Sequence, residues 1–124
     1  GLMAFGSDRD AGAIAAATAN AARAGVSALT QFEQKPVSAI APPLGPPGLV
    51  IMNPPYGLRI GEAKKLEALY ITLGRVLRER FAGWRVGVLT GNAKLAQMTG
   101  LPWQDKPISL LHGGLRVGLY RARL

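Results

Sequence analysis

Residues 53–57 read Asn-Pro-Pro-Tyr-Gly, and this is the stretch whose residue types and spacing best suit a reaction. An exocyclic amino nitrogen on adenine or guanine is a poor nucleophile, because its lone pair is delocalised into the ring. A group that accepts hydrogen bonds from its N–H atoms draws that lone pair out of the ring plane. The Asn53 side-chain oxygen can take one such bond and the Pro54 carbonyl the other. Pro54 and Pro55 fix φ and so hold the acceptors rigidly, and Pro54 also biases Asn53 towards an extended conformation. Tyr56 offers a flat face on which an extruded base can stack, and Gly57 allows a close turn. Asn-Pro is also a common turn starter, so a plain Pro-rich turn stands beside the chemical reading. The spacing does not fit a Pro-Pro-x-Tyr ligand, since Tyr56 follows Pro55 directly.

The elements that must position this loop can be read from periodicity and punctuation. Leu2–Ser7 reads as a buried strand. Asp10 can cap an Ala-rich helix from about Ala11 to Ala24 that stops at Gly25. Ala28–Phe32 is a short second strand, Lys35–Gly48 a Pro/Gly-rich connection, and Leu49–Met52 a third, buried strand ending at Asn53. Next comes the clearest helix, Ala63–Phe81, on which Leu66, Leu69, Tyr70, Leu73, Val76, Leu77 and Phe81 form one apolar stripe at the 3.6 period. Strand Arg85–Leu89, a short helix near Ala93–Met98, strand Ile108–His112, a Gly113-Gly114 turn and strand Leu115–Arg121 complete the chain. Strand–helix alternation closing on a hairpin predicts an α/β fold, with a mainly parallel sheet and an antiparallel end. Such sheets bind ligands at the carboxyl ends of their strands, where Ser7–Asp10, Gln34–Pro36 and Asn53–Gly57 fall.

Composition narrows the class of partner. The chain has 124 residues, 48% hydrophobic and 18% charged, which reads as one globular domain. Its net charge of +8 is uneven. Residues 1–50 balance three basic side chains against three acidic ones, whereas residues 51–124 hold the other 12 basic and 4 acidic residues. Such asymmetry points to a polyanion, although a solvated basic surface gives the same count. Without cysteine there are no disulfides or thiolate metal sites, and with His112 as the only histidine no His-based metal site is expected. No stretch reads as a membrane span or signal peptide, and a cytoplasmic location fits. Trp84 and Trp103 read as packing residues and His112 as a core or hairpin residue. Arg59 suits either a phosphate contact or a pair with Glu62.

The Asn-Pro-Pro-Tyr tetrapeptide is similar to the fourth motif of amino-methyltransferases that act on nucleic-acid bases. Further blocks resemble the THUMP-associated large-subunit ribosomal RNA guanine-amino methyltransferases: Gly6-Ser7-Asp8-Arg9-Asp10, Ala19-Asn20-Ala21, and Asn53 continuing to Gly61. So do Leu73-Gly74-Arg75-Val76-Leu77, Gly83-Trp84, Leu89-Thr90-Gly91 and Gly113-Gly114-Leu115. The resemblance covers essentially the whole chain, in order. It implies a Rossmann-like class I methyltransferase sheet, with S-adenosylmethionine as cofactor and ribosomal RNA as partner. Methyl transfer would proceed by direct displacement, with Asn53, Pro54, Pro55 and Tyr56 at the reacting amino group and Asp8 on the cofactor ribose. It also implies an earlier strand with a Gly-rich loop and an RNA-binding region, neither of which is matched. Residues 1–124 are therefore expected to be a partial methyltransferase domain, inactive alone and binding the cofactor negligibly. An acidic residue that commonly meets the cofactor adenine is replaced by Lys35-Pro36. The tetrapeptide equally permits a DNA adenine amino-methyltransferase, and a non-catalytic nucleic-acid-binding module is the alternative from another class.

Overall fold

The computed structural model describes residues 3–57 and 61–124, which divide into two compact units, Gly1–Pro43 and Leu44–Leu124. In the first unit, β1 (Ala4–Asp8) leads into α1 (Ala11–Arg23). Asp10 caps that helix as expected, its carboxylate oxygens accepting from the backbone N–H of Gly12 at 3.3 Å and Ala13 at 3.2 Å. The helix ends before Gly25, whose φ of +74° is a left-handed conformation that glycine adopts without strain. A 3₁₀ turn over Ser27–Leu29 then delays β2 (Thr30–Gln34) by two residues relative to the predicted start. The Thr30 hydroxyl donates to the Val26 carbonyl at 3.2 Å and closes that turn. β2 runs parallel to β1, with Ala4 opposite Thr30 and Asp8 opposite Gln34.

The second unit carries β3 (Leu49–Met52), α2 (Ala63–Arg80), β4 (Arg85–Thr90), α3 (Ala93–Met98), β5 (Ile108–His112) and β6 (Leu115–Arg123). The strands lie in the order β3-β4-β6-β5. β3 and β4 are parallel, while β4–β6 and β6–β5 are antiparallel. The β5–β6 turn is made by Gly113 and Gly114 at φ +57° and +81°, the positive values that a two-residue hairpin needs.

Burial on this sheet is concentrated on one face. Val86, Val88 and Thr90 of β4 and Tyr120 and Ala122 of β6 are buried, together with the predicted stripe of α2 apart from half-buried Leu69. The opposite face presents Arg85 opposite Arg123 and Gly87 opposite Arg121. There Ile51 is 66% exposed and Leu49 50%. Two expectations are thereby corrected. Neither the strand predicted at Leu2–Ser7, over its described residues, nor Leu49–Met52 is fully buried, and Phe5 is 49% exposed. β1 and β3 each have one hydrogen-bonded neighbour among the described residues, so an apolar sequence there has only part of the cover it could accept.

The helices α2 and α3 meet at Gly74, where a Cβ would lie 1.9 Å from the Thr99 carbonyl oxygen. The Arg78 guanidinium donates to the same oxygen at 2.6 Å, closing the end of α3. Alanine would gain about 1 kcal/mol in helix propensity over glycine. Overpacking against backbone that cannot rotate away costs up to about 3 kcal/mol. The clash wins, and Gly74→Ala should lose about 2 kcal/mol in chemical denaturation. A variant as stable as the parent would refute this close approach.

Candidate functional site

The parallel register of β3 and β4 decides what lies beside the Asn-Pro-Pro-Tyr loop. Met52 pairs with Val88, so residues 53–56 leave their strand next to the carboxyl end of β4 and the turn Thr90-Gly91-Asn92. Asn53 and Pro55 are exposed, while Pro54 and Tyr56 are half-buried. Among the described residues, neither the Asn53 side chain nor the Pro54 carbonyl has a hydrogen-bond partner, so both acceptors remain uncommitted.

The second half of the loop is held from the core. Tyr70 of α2 is completely buried, and its hydroxyl donates to the Pro55 carbonyl at 3.0 Å. The same oxygen lies 2.9 Å from the hydroxyl of buried Thr90. The Tyr56 ring packs against the cluster of Leu66, Tyr70 and Leu95. It also lies over Gly91, where a Cβ would fall 2.6 Å from Cε2 and 2.9 Å from Cδ2. Any larger residue at position 91 must push the ring away. The spacing of apolar residues places Tyr70 on the core stripe, but it does not reveal that the hydroxyl reaches the motif. Thr90 and Gly91 carry no periodic signal and entered only through resemblance.

In the first unit, two of the predicted segments come together. The Lys35 N–H donates to the Asp8 carbonyl at 2.9 Å, and the Gln34 side-chain amide donates to the Arg9 carbonyl at 3.1 Å. The Asp8 side chain is exposed, with Oδ1 accepting from the Asp10 N–H at 2.8 Å. Lys35 pairs with Glu33 at 2.9 Å. That hydrogen bond and the ammonium charge hold the Glu33 carboxyl below the usual range.

The other singled-out residues have plainer surroundings. Trp84 packs edge-on to Phe81 with ring centroids 5.4 Å apart. The Trp103 indole N–H donates to the Ala96 carbonyl at 2.8 Å, and its ring lies 5.7 Å from Tyr120. Both tryptophans are packing residues, as expected. Arg59 and the His112 side chain lie outside the described residues. Glu62 precedes α2 without capping it through its side chain. A shallow cavity on the open face of the second sheet is lined by Leu49, Ile51, Arg85, Gly87 and Arg121, away from the loop. It reflects an uncovered sheet face. Among the described residues, no helix is long and apolar enough to cross a membrane, and no group of three or more His, Cys, Asp or Glu could hold a metal.

Residues 2–116 match the family described as "RMKL-like, methyltransferase domain". The chain is 46% identical over 99 residues to the ribosomal RNA large subunit methyltransferase K/L of Chromohalobacter salexigens. That alignment covers 78% of this chain and 14% of the relative, so the chain spans about one-seventh of that protein's length. SMU.472, solved in complex with SAH, superposes with a TM-score of 0.85 at 28% identity, covering 96% of this chain and 31% of that one. A predicted N6-adenine-specific DNA methylase from Listeria monocytogenes gives a TM-score of 0.71 at 28% identity, covering 95% of this chain and 30% of that one. The architecture is thus the mixed α/β arrangement of class I methyltransferases, with parallel and antiparallel strands, that the sequence led us to expect.

Burial pushes the Tyr70 phenol above its ordinary pKa, and the nearby Tyr56 adds to this, while the hydrogen bond with Thr90 works the other way. An unfolded tyrosine ionises near pH ~10. The folded chain holds this proton more tightly, so the stability it contributes is present below that pH and lost as pH rises through the folded pKa. The difference in unfolding free energy between the parent and Tyr70→Phe should therefore shrink on going from pH ~9 to ~11. Burial raises the Tyr120 phenol as well, and the subtraction cancels its part. A difference independent of pH would show that Tyr70 titrates as an exposed phenol.

Proposed function

The chain belongs to the family of RMKL-like methyltransferase domains, and from that membership we propose that it forms the amino-group acceptor half of an S-adenosylmethionine-dependent nucleic-acid methyltransferase. The substrate amino group is that of guanine in large-subunit ribosomal RNA. One observation carries this reading: two adjacent hydrogen-bond acceptors, Asn53 Oδ1 and the Pro54 carbonyl, stand uncommitted on a loop that is otherwise fixed. A Pro-rich turn with a purely structural task would have little reason to keep its core-facing half pinned and its leading acceptors open.

When bound, S-adenosylmethionine supplies a methyl group on an electrophilic sulfonium. The residues of this chain supply the rest. Asn53 and Pro54 would accept the two N–H bonds of the substrate amino group and so draw its lone pair out of the ring, and the methylated nitrogen would release one of these protons to solvent. Their dipoles are oriented before the reaction, so they stabilise the developing positive charge on nitrogen at little reorganisation cost. The face of Tyr56 stacks on the extruded base. Asp8 is assigned to the cofactor ribose. Its Oδ2 has no partner among the described residues, and a carboxylate suits a diol. The donor set around Lys35 offers no free carboxylate to an adenine amino group, since Glu33 is paired, and apolar or backbone contacts are expected to take its place.

In the full-length protein, Asn53→Ala should lower turnover about a hundredfold, the cost of one lost transition-state acceptor. Cofactor affinity and melting temperature should change much less. Turnover within a few-fold of the parent would mean that Asn53 is structural. Adenine remains the second reading of the base, because the tetrapeptide serves either amino group and the Listeria likeness bears that description. Incubation with labelled cofactor and either unmodified ribosomal RNA or duplex DNA, followed by digestion to nucleosides, separates the two. Label is expected on guanosine, and label mainly on deoxyadenosine would overturn the substrate while leaving the chemistry.

A further inference from the structure

Tyr70 reaches the motif through a hydrogen-bond chain that has only one possible direction. The Pro55 carbonyl can only accept, so the single phenolic proton of Tyr70 is committed to it. Tyr70 Oη must then accept from Thr90, 2.9 Å away. Thr90 Oγ1 in turn accepts from the Asn92 N–H at 3.2 Å. Asn92 is fixed as the cap of α3, where its side chain accepts from the Leu95 N–H at 3.1 Å and its carbonyl from the Ala96 N–H at 3.2 Å. The chain therefore runs from the start of α3, through two buried hydroxyls, to the third residue of the loop.

We propose that Tyr70 is a positioning residue for the loop, setting the angle at which Asn53, Pro54 and Tyr56 meet the base; this rests on the acceptor reading above. The Pro55 ring already fixes φ. Anchoring its carbonyl fixes ψ as well, and with it the direction in which Tyr56 departs. Gly91, between Thr90 and Asn92, then receives the Tyr56 ring edge. One turn of backbone thus holds the loop at both Pro55 and Tyr56. A consequence is that the Pro55 carbonyl already has one lone pair engaged by the core, whereas the Asn53 side-chain oxygen and the Pro54 carbonyl keep both of theirs for the amino group.

The test compares Tyr70→Phe, Thr90→Val, Thr90→Ser and the double variant Tyr70→Phe/Thr90→Val in the full-length protein. Tyr70→Phe leaves the Pro55 carbonyl without its donor, and turnover should fall about tenfold, as expected for a displaced reacting group. The KM for S-adenosylmethionine should stay within about twofold, since uniform binding is untouched. The double variant leaves both the Pro55 carbonyl and the Asn92 N–H without their partners and should remain as slow as Tyr70→Phe. Thr90→Ser keeps the relay and should retain turnover. If turnover falls only in proportion to melting temperature across these variants, Tyr70 serves stability alone and the proposal is wrong. A second readout needs no activity: nuclear Overhauser contacts between the Tyr56 ring and the Gly91 α-protons in the full-length protein. Tyr70→Phe should weaken them and Asn53→Ala should not. Should Asn53→Ala keep full turnover, the acceptor reading fails, and the Overhauser contacts alone judge the positioning. Contacts unchanged in Tyr70→Phe would overturn it.

Discussion

A phenol with no solvent access must place both its proton and its oxygen inside the protein, because an unmatched buried hydroxyl costs about 1–3 kcal/mol. Tyr70 meets that demand with the Pro55 carbonyl on one side and Thr90 on the other. The packing of the second unit is arranged around this requirement. α2 has to lie where its hydroxyl spans the gap between two loops, and its neighbour α3 has to start directly after β4, so that Asn92 can close the chain. Gly74 lets α3 approach α2 closely enough for this, and Arg78 ties the far end of α3 back to α2. Stability and loop geometry are therefore set by the same contacts in this unit, whereas α1 is capped locally and its two strands pair in parallel.

The two sheets show a different balance. Hydrophobic burial is worth about 25 cal/mol per Å², and it accrues only where a second layer exists. Val86, Val88 and Thr90 have such a layer in α2 and α3. Ile51, Leu49, Leu119 and Gly87 line the other face with Arg85 and Arg121 at its border. Of the 12 basic residues after residue 50, several already have local work. Arg78 closes a helix end, and Arg75 pairs with Glu79 at 3.6 Å. The charge excess therefore does not by itself mark a single binding surface.

Much of this was legible beforehand, for identifiable reasons. The bounds of β3, α3 and β5 follow from apolar runs bordered by Asn, Gly and Pro, and α1 from Asp10 at one end and Gly25 at the other. β6 continues two residues beyond the predicted Arg121, because Arg123 pairs with Arg85 through the backbone while its charge stays in solvent. Burial of β1 and β3 was misjudged, since hydrophobicity records what a strand can bury and not whether anything covers it. The loop was recognised from its residue types. Its anchoring was not, because Tyr70 lies 15 residues from Pro55 and 20 from Thr90, beyond any local pattern.

The division within the loop has a physical logic under the proposed chemistry. An acceptor that must pull a lone pair out of conjugation is effective only if its dipole already points along the new direction. A freely turning carbonyl would instead follow the ground-state amino group. Proline fixes φ at each of two positions, and Pro55 also confines ψ of Pro54, but ψ of Pro55 stays free. The missing restraint has to come from elsewhere in the fold, and a hydrogen bond to the carbonyl after the second proline is the shortest way to supply it. Placing that restraint at Pro54 would engage one lone pair of an acceptor that the amino group approaches. Placing it at Tyr56 would leave the preceding peptide free to rotate. The Pro55 carbonyl is the one position that stiffens the loop without spending either leading acceptor, and it is the carbonyl that Tyr70 holds.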